Sequence, residues 1–153
     1  MRAPERAGPV RVVTVFLVRS KKVLVLQRSG GVGTYKGKWA GVSGDIEPKE
    51  TPRARAFREV LEETGLEAEN LSLIRVGSPV PIKGTRFLVH PFLVNVRCGR
   101  VRIDWEHSRF RWVAPTELAR LDTVPGLAEV YASIVDEKRL GAPSTSRKNI
   151  TIQ

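Results

Sequence analysis

The stretch GDIEPKETPRARAFREVLEETGL, Gly44 to Leu66, decides the reading of this chain. Its second half carries both ends of a helix. Thr51 stands where a hydroxyl can cap the first turn, and Pro52 follows at the first helical position, where a missing N–H costs nothing. Gly65 comes just after the last periodic residue, where a left-handed stop favours glycine. The segment from Thr51 to Thr64 is therefore expected to be helical. On a wheel of ~100° per residue, Ala56, Phe57, Val60 and Leu61 share one arc, expected to face the core. Glu59, Glu62 and Glu63 fall on the opposite arc, three and four residues apart. Like charges at those spacings repel and weaken a helix slightly. Arg55 and Arg58 stand nearby, so a salt-bridged surface helix is one reading. The other is a cluster of hard oxygen ligands for a divalent cation of the magnesium or manganese kind.

The wider spacing separates the two readings. Gly44 is followed by five residues and Glu50, then by seven residues and Arg58-Glu59-Val60-Leu61-Glu62-Glu63-Thr64-Gly65-Leu66. The pattern resembles, at every specified position, the signature of the Nudix hydrolases. A chance match in a chain of this length has odds on the order of one in ten million. The resemblance implies a Mg2+-dependent enzyme, with Mn2+ as a substitute, that cleaves a phosphoanhydride bond in a nucleotide. By the same resemblance Glu59, Glu62 and Glu63 would be catalytic and bind metal together with the Gly44 carbonyl. Glu50 and Arg58 would form an ion pair that orients the helix. Such chemistry suits a diphosphate, whose dense charge must be neutralised before water attacks phosphorus, while one glutamate accepts the water's proton. Family members often carry a further carboxylate downstream. Asp104-Trp105-Glu106-His107 offers Glu106 first, as a catalytic residue, and Asp104 second; an ordinary acidic loop is the competing reading.

Outward from the box, apolar β-branched runs at Val10 to Val18 and Lys22 to Gln27 read as a hairpin. Ser29 to Lys38, with four glycines, is a loop, and Trp39 to Val42 a short strand. Leu71 to Val76, Arg86 to Val96 and Arg109 to Val113 read as strands. Pro91 suggests an edge or a bulge in the second of these, not a central position. Helices are expected over Pro115 to Leu121 and Gly126 to Leu140. The fold class is α/β, a mixed sheet sandwiched between helices (α/β/α) in one domain, as the Nudix fold would have it. That domain is expected to span residues 1–141, with a weakly ordered tail over 142–153.

A formal net charge of +10 favours anionic partners such as nucleotides, with nucleic acid a less favoured possibility and solubility the plainer explanation. No apolar run is long enough to span a bilayer, and the single cysteine, Cys98, excludes an internal disulfide and a cysteine-based zinc cluster. A cytoplasmic enzyme is expected, with a homodimer possible. Arg28, Lys36 and Lys38 flank the glycine loop and could grip phosphates. Tyr35 or Trp105 could stack on a base, with ordinary packing the alternative for both. Trp39 reads as structural, His90 as a satisfied sheet histidine, and His107 receives no catalytic role.

Among substrates, nucleoside triphosphates and dinucleoside polyphosphates come first, with ADP-ribose-type sugar nucleotides second. RNA 5′-end pyrophosphohydrolysis and a catalytically silent binding module are the remaining alternatives. The silent module is disfavoured because all the box carboxylates are present.

Overall fold

The computed structural model describes residues 8–135, beginning with the expected hairpin. Strands β1 (Val10–Arg19) and β2 (Lys22–Arg28) are joined through Ser20 and Lys21, both at positive φ, as a two-residue turn matched to strand twist requires. β1 pairs antiparallel with β2 only at its last two residues, Val18 and Arg19. Beyond that point β2 runs antiparallel to β8 (His107–Val113) and to the short β3 (Trp39–Ala40). The first half of β1 is taken by β4 (Val42–Asp45), with Val13 opposite Gly44 and Thr14 opposite Ser43. On its other edge β1 lies parallel to β7 (Phe87–Val96), which in turn pairs with β5 (Leu71–Val76) and with β6 (Val80–Pro81), a strand with no counterpart in the sequence reading.

The near-continuous apolar run of β1 follows from burial on both faces. Val13, Val15 and Leu17 meet Ala56 and Val60 of helix α1 (Pro52–Thr64), while Phe16 meets Leu127, Val130 and Ile134 of helix α2 (Leu127–Val135). The Phe16 and Tyr131 rings pack edge to face, with centroids 5.1 Å apart. The sandwich of helix, sheet and helix is the α/β architecture expected.

Three expectations are corrected. Pro91 sits in a central strand, between β1 and β5. It is tolerated because its carbonyl, and hence its ring nitrogen, faces the break between β5 and β6, where Gly77 donates to that carbonyl at 2.9 Å. Pro115 to Leu121 is not an α-helix but a 3-10 turn, Pro115–Ala119, closed by three-residue bonds and too short to nucleate an α-helix. The second helix begins at Leu127, after Gly126 at φ 80, which acts as its entry turn. The expected end of that helix at Leu140 and the tail 142–153 lie outside the described residues.

Candidate active site

α1 is capped as its sequence requires. The Thr51 hydroxyl accepts from Ala54 N at 3.0 Å, Pro52 opens the helix, and Gly65 closes it at φ 75 with its N–H on the Leu61 carbonyl. Its buried stripe is Arg55, Ala56, Glu59, Val60, Glu63 and Thr64. The wheel reading was therefore turned too far: Leu61 is 50% exposed, while Glu59 and Glu63 are only 8% and 3% exposed. The helix lies with one flank of its carboxylate arc against β4, so two of the three glutamates are enclosed. Glu62 alone remains outside, holding Arg58 at 3.1 Å.

Gly44 is what lets Glu59 lie so close. A Cβ on Gly44 would fall 2.1 Å from Glu59 Oε2 and 2.2 Å from its Cδ, a position no side chain could share. Glu63 accepts weakly from Ser43 N at 3.4 Å and lies beside Glu59. Burial raises the pKa of both, that of Glu63 well above the usual carboxylate range, and the contact between them adds to the rise at Glu63. Two carboxyls in this proximity resist ionising together, so the pair holds a proton more readily than an isolated carboxylate.

Arg55, which the sequence reading left as a neighbour, is the main organiser. It donates to both oxygens of Glu50, at 2.8 and 2.9 Å, and to Glu59 Oε2 at 2.7 Å. Those bonds hold Glu50 below its ordinary pKa and keep Arg55 more firmly protonated. The expected Glu50–Arg58 pair is present but looser, at 3.6 Å. Fork-to-fork geometry favours Arg55 as the residue that ties helix to loop. The i,i+4 spacing of Arg55 and Glu59 was a visible signal for it.

Arg28, Tyr35, Glu47, Glu59, Glu62, Glu63, Glu106 and His107 line a cleft of about 490 Å³, which continues between Ile82, Phe87, Leu127 and Val130. Arg28 also orders the glycine loop by donating to the Thr34 carbonyl at 2.8 Å. Lys36 and Lys38 do not reach the cleft: Lys36 is exposed, and Lys38 pairs with Asp122 at 2.7 Å. Of the downstream acids, Glu106 is on the cleft wall, whereas Asp104 is turned to His107 Nδ1 at 2.8 Å. Trp105 is 71% exposed and outside the cleft, and Trp39 is buried in the core under Arg109 and Arg111. His90 is not satisfied as expected. Its Nε2 is buried without a hydrogen-bond partner among the described residues, and burial lowers its pKa.

The donors are of the hard-oxygen kind that divalent cations take: carboxylates, beside a glycine that admits one of them against the backbone. As they stand, no three His, Cys, Asp or Glu side chains among the described residues are grouped closely enough to hold an ion. Glu59 and Glu63 are brought together, while Glu62 would have to turn from Arg58.

Residues 8–134 match the NUDIX domain as a family. A Mycobacterium tuberculosis protein with the provisional name 8-oxo-dGTP diphosphatase 2 is 36% identical over 115 residues, covering 74% of this chain and 79% of its own. The RNA pyrophosphohydrolase of Erythrobacter litoralis is 34% identical over 124 residues, covering 67% of this chain and 74% of its own. A NUDIX hydrolase structure from Nitrosomonas europaea superposes with a TM-score of 0.70 at 20% identity, over 90% of this chain and 76% of that one, a likeness of fold.

Proposed function

This chain belongs to the Nudix family, and from that premise we propose that it is a Mg2+-dependent pyrophosphohydrolase of nucleoside triphosphates or dinucleoside polyphosphates. The observation that carries the reading is the buried Glu59–Glu63 pair beside Gly44, opening into one cleft of about 490 Å³. Glu59, Glu62, Glu63 and the Gly44 carbonyl would hold Mg2+, or Mn2+ in its place. Bound there, the ion supplies charge neutralisation for the diphosphate and a more acidic water. Arg55 fixes Glu59 and ties the helix to the loop through Glu50, so the carboxylates meet the substrate already oriented. Glu106, on the cleft wall, is the candidate to take a proton from water. Arg28 and Tyr35 stand at the cleft where phosphate and base would enter. The apolar continuation past Ile82, Phe87 and Leu127 suits a flat base. No helix of the described residues is long and apolar enough to cross a membrane.

A screen of nucleoside triphosphates, dinucleoside polyphosphates and sugar nucleotides with Mg2+, products identified by mass, tests the reading. Turnover of a triphosphate to monophosphate and pyrophosphate is expected. No turnover of any compound with Mg2+ or Mn2+ overturns it. The +10 charge and the Erythrobacter relative favour one second reading, 5′-end hydrolysis of RNA. Triphosphorylated RNA in the same screen tests it, with binding expected to weaken steeply with salt.

A further inference from the structure

Ser29 heads the glycine loop, directly after Arg28, yet the hydrogen bonds it donates leave that loop. Its N–H donates to the Glu106 carbonyl at 2.8 Å, and its hydroxyl donates to the Trp105 carbonyl at 3.1 Å. Gly31 N donates to the same hydroxyl at 3.3 Å, so the oxygen is held from its own loop while its proton points to Trp105. The two carbonyls belong to the peptide planes on either side of the Glu106 Cα. Peptide planes are rigid and only the two torsions between them are soft, so holding both planes fixes where the Glu106 side chain leaves the backbone. The strand ladder does not do this by itself. Gln27 faces Arg109 but Arg28 faces His107, so Ser108 is an extra residue in β8 and the pairing is irregular just short of Glu106. A bulge of this kind re-aims the side chains beside it. The Trp105 ring, 71% exposed, adds little packing to hold the segment.

We infer that Ser29 is the positioning residue of Glu106: its hydroxyl and N–H together aim that carboxylate into the cleft. Arg28 and Tyr35 reach the cleft from the same stretch of chain, so the segment that meets phosphate and base also aims the proton acceptor. The inference rests on the proposed proton-accepting role of Glu106 and extends it to a residue that does not itself line the cleft. A hydroxyl that merely closed its own loop would serve the grip on substrate, and so KM, instead of kcat.

The test is a double-mutant cycle in the full chain with Mg2+, on the best substrate of the screen. Ser29→Ala should lower kcat by about 10-fold with KM changed by no more than about 2-fold, and Ser29→Thr, which keeps the hydroxyl, should recover most of the rate. In the Glu106→Gln background Ser29→Ala should have no further effect, because the group it aims is already gone. The bond lies at the surface, so the variants should melt within about 2 °C of wild type. Ser29→Ala with kcat within about 2-fold of wild type overturns the inference, as does a loss confined to KM or an equal loss in both backgrounds. A collapse in Glu106→Gln beside an unchanged Ser29→Ala overturns the inference alone, whereas a wild-type rate in Glu106→Gln overturns the role of Glu106 and the inference with it. Backbone 15N relaxation, read without substrate, should show Glu106 loosened in Ser29→Ala; an unchanged order parameter overturns the inference even where no substrate is found.

Discussion

Adding one methyl group at Gly44 should disable the enzyme while leaving the fold standing. The new Cβ would lie 2.1 Å from Glu59 Oε2, 2.2 Å from Cδ and 2.6 Å from Cγ, where ordinary contact begins at 3.4 Å. The backbone of Gly44 is pinned by its pairing with Val13, so it is Glu59 that must retreat, by about 1 Å or more. Because Cγ is caught as well as the carboxylate, a rotation of the terminal group does not suffice. The retreat strains the 2.7 Å bond from Arg55, a buried charge-assisted contact worth about 1.5–3 kcal/mol. Overpacking of this kind costs about 1–3 kcal/mol in all, and each kcal/mol lowers the melting temperature of a domain this size by about 2–4 °C. A catalytic group misplaced by about 1 Å can cost about 10²-fold in rate. Gly44→Ala should therefore lower kcat by about 10²-fold on the best triphosphate substrate, measured with Mg2+, with a modest calorimetric loss. Gly30→Ala is the control, since nothing lies within 4 Å of its Cβ. A Gly44→Ala enzyme with kcat within about 2-fold of wild type and an unchanged melting temperature would refute the close approach of Glu59 and the reasoning built on it.

Glu63→Gln should abolish turnover yet stabilise the metal-free protein. Burial raises the Glu63 pKa, so its contribution to stability is fully present below 4.5 and is lost as pH rises through the folded value. Melting of wild type in chelator should thus worsen as pH climbs above 4.5, and the Gln variant should flatten that slope; equal slopes would contradict the burial of an ionising group. Gly65→Val places a β-branched residue at φ 75, where its Cβ would meet the Arg102 side chain at ordinary contact, 3.6 Å and beyond, so the added cost is mainly backbone strain. A loss of about 1–2 kcal/mol is expected in denaturant unfolding, and none would show that the helix end is not strained. Glu106→Gln should lower kcat by about 10²-fold with little change in KM, whereas parameters within about 2-fold of wild type would make Glu106 a plain loop residue.

The helix that carries the box was legible because its signals are local. Thr51, Pro52 and Gly65 act within one turn of their own position, and their roles follow from capping chemistry alone. The strands of the hairpin were legible for a similar reason, since β-branched runs with turns between them have few other solutions. The spacing from Gly44 to Leu66 went further and pointed to the family, although it could not say how its residues touch. Burial at the box was decided elsewhere. A wheel shows which residues share a side of a helix, and the rotation that encloses Glu59 and Glu63 while exposing Leu61 depends on where β4 lies against it. Partners far apart in the chain were equally out of reach: Lys38 is neutralised by Asp122, 84 residues away, and His107 meets Glu63 across 44 positions only when β8 folds beside β2. Pro91 could sit in a central strand because a break between two other strands faces its ring. Caps, turns and alternation are set by neighbours along the chain and are therefore written in it. Burial, protonation and the pairing of charges depend on what lies across space, and only the folded chain sets those distances.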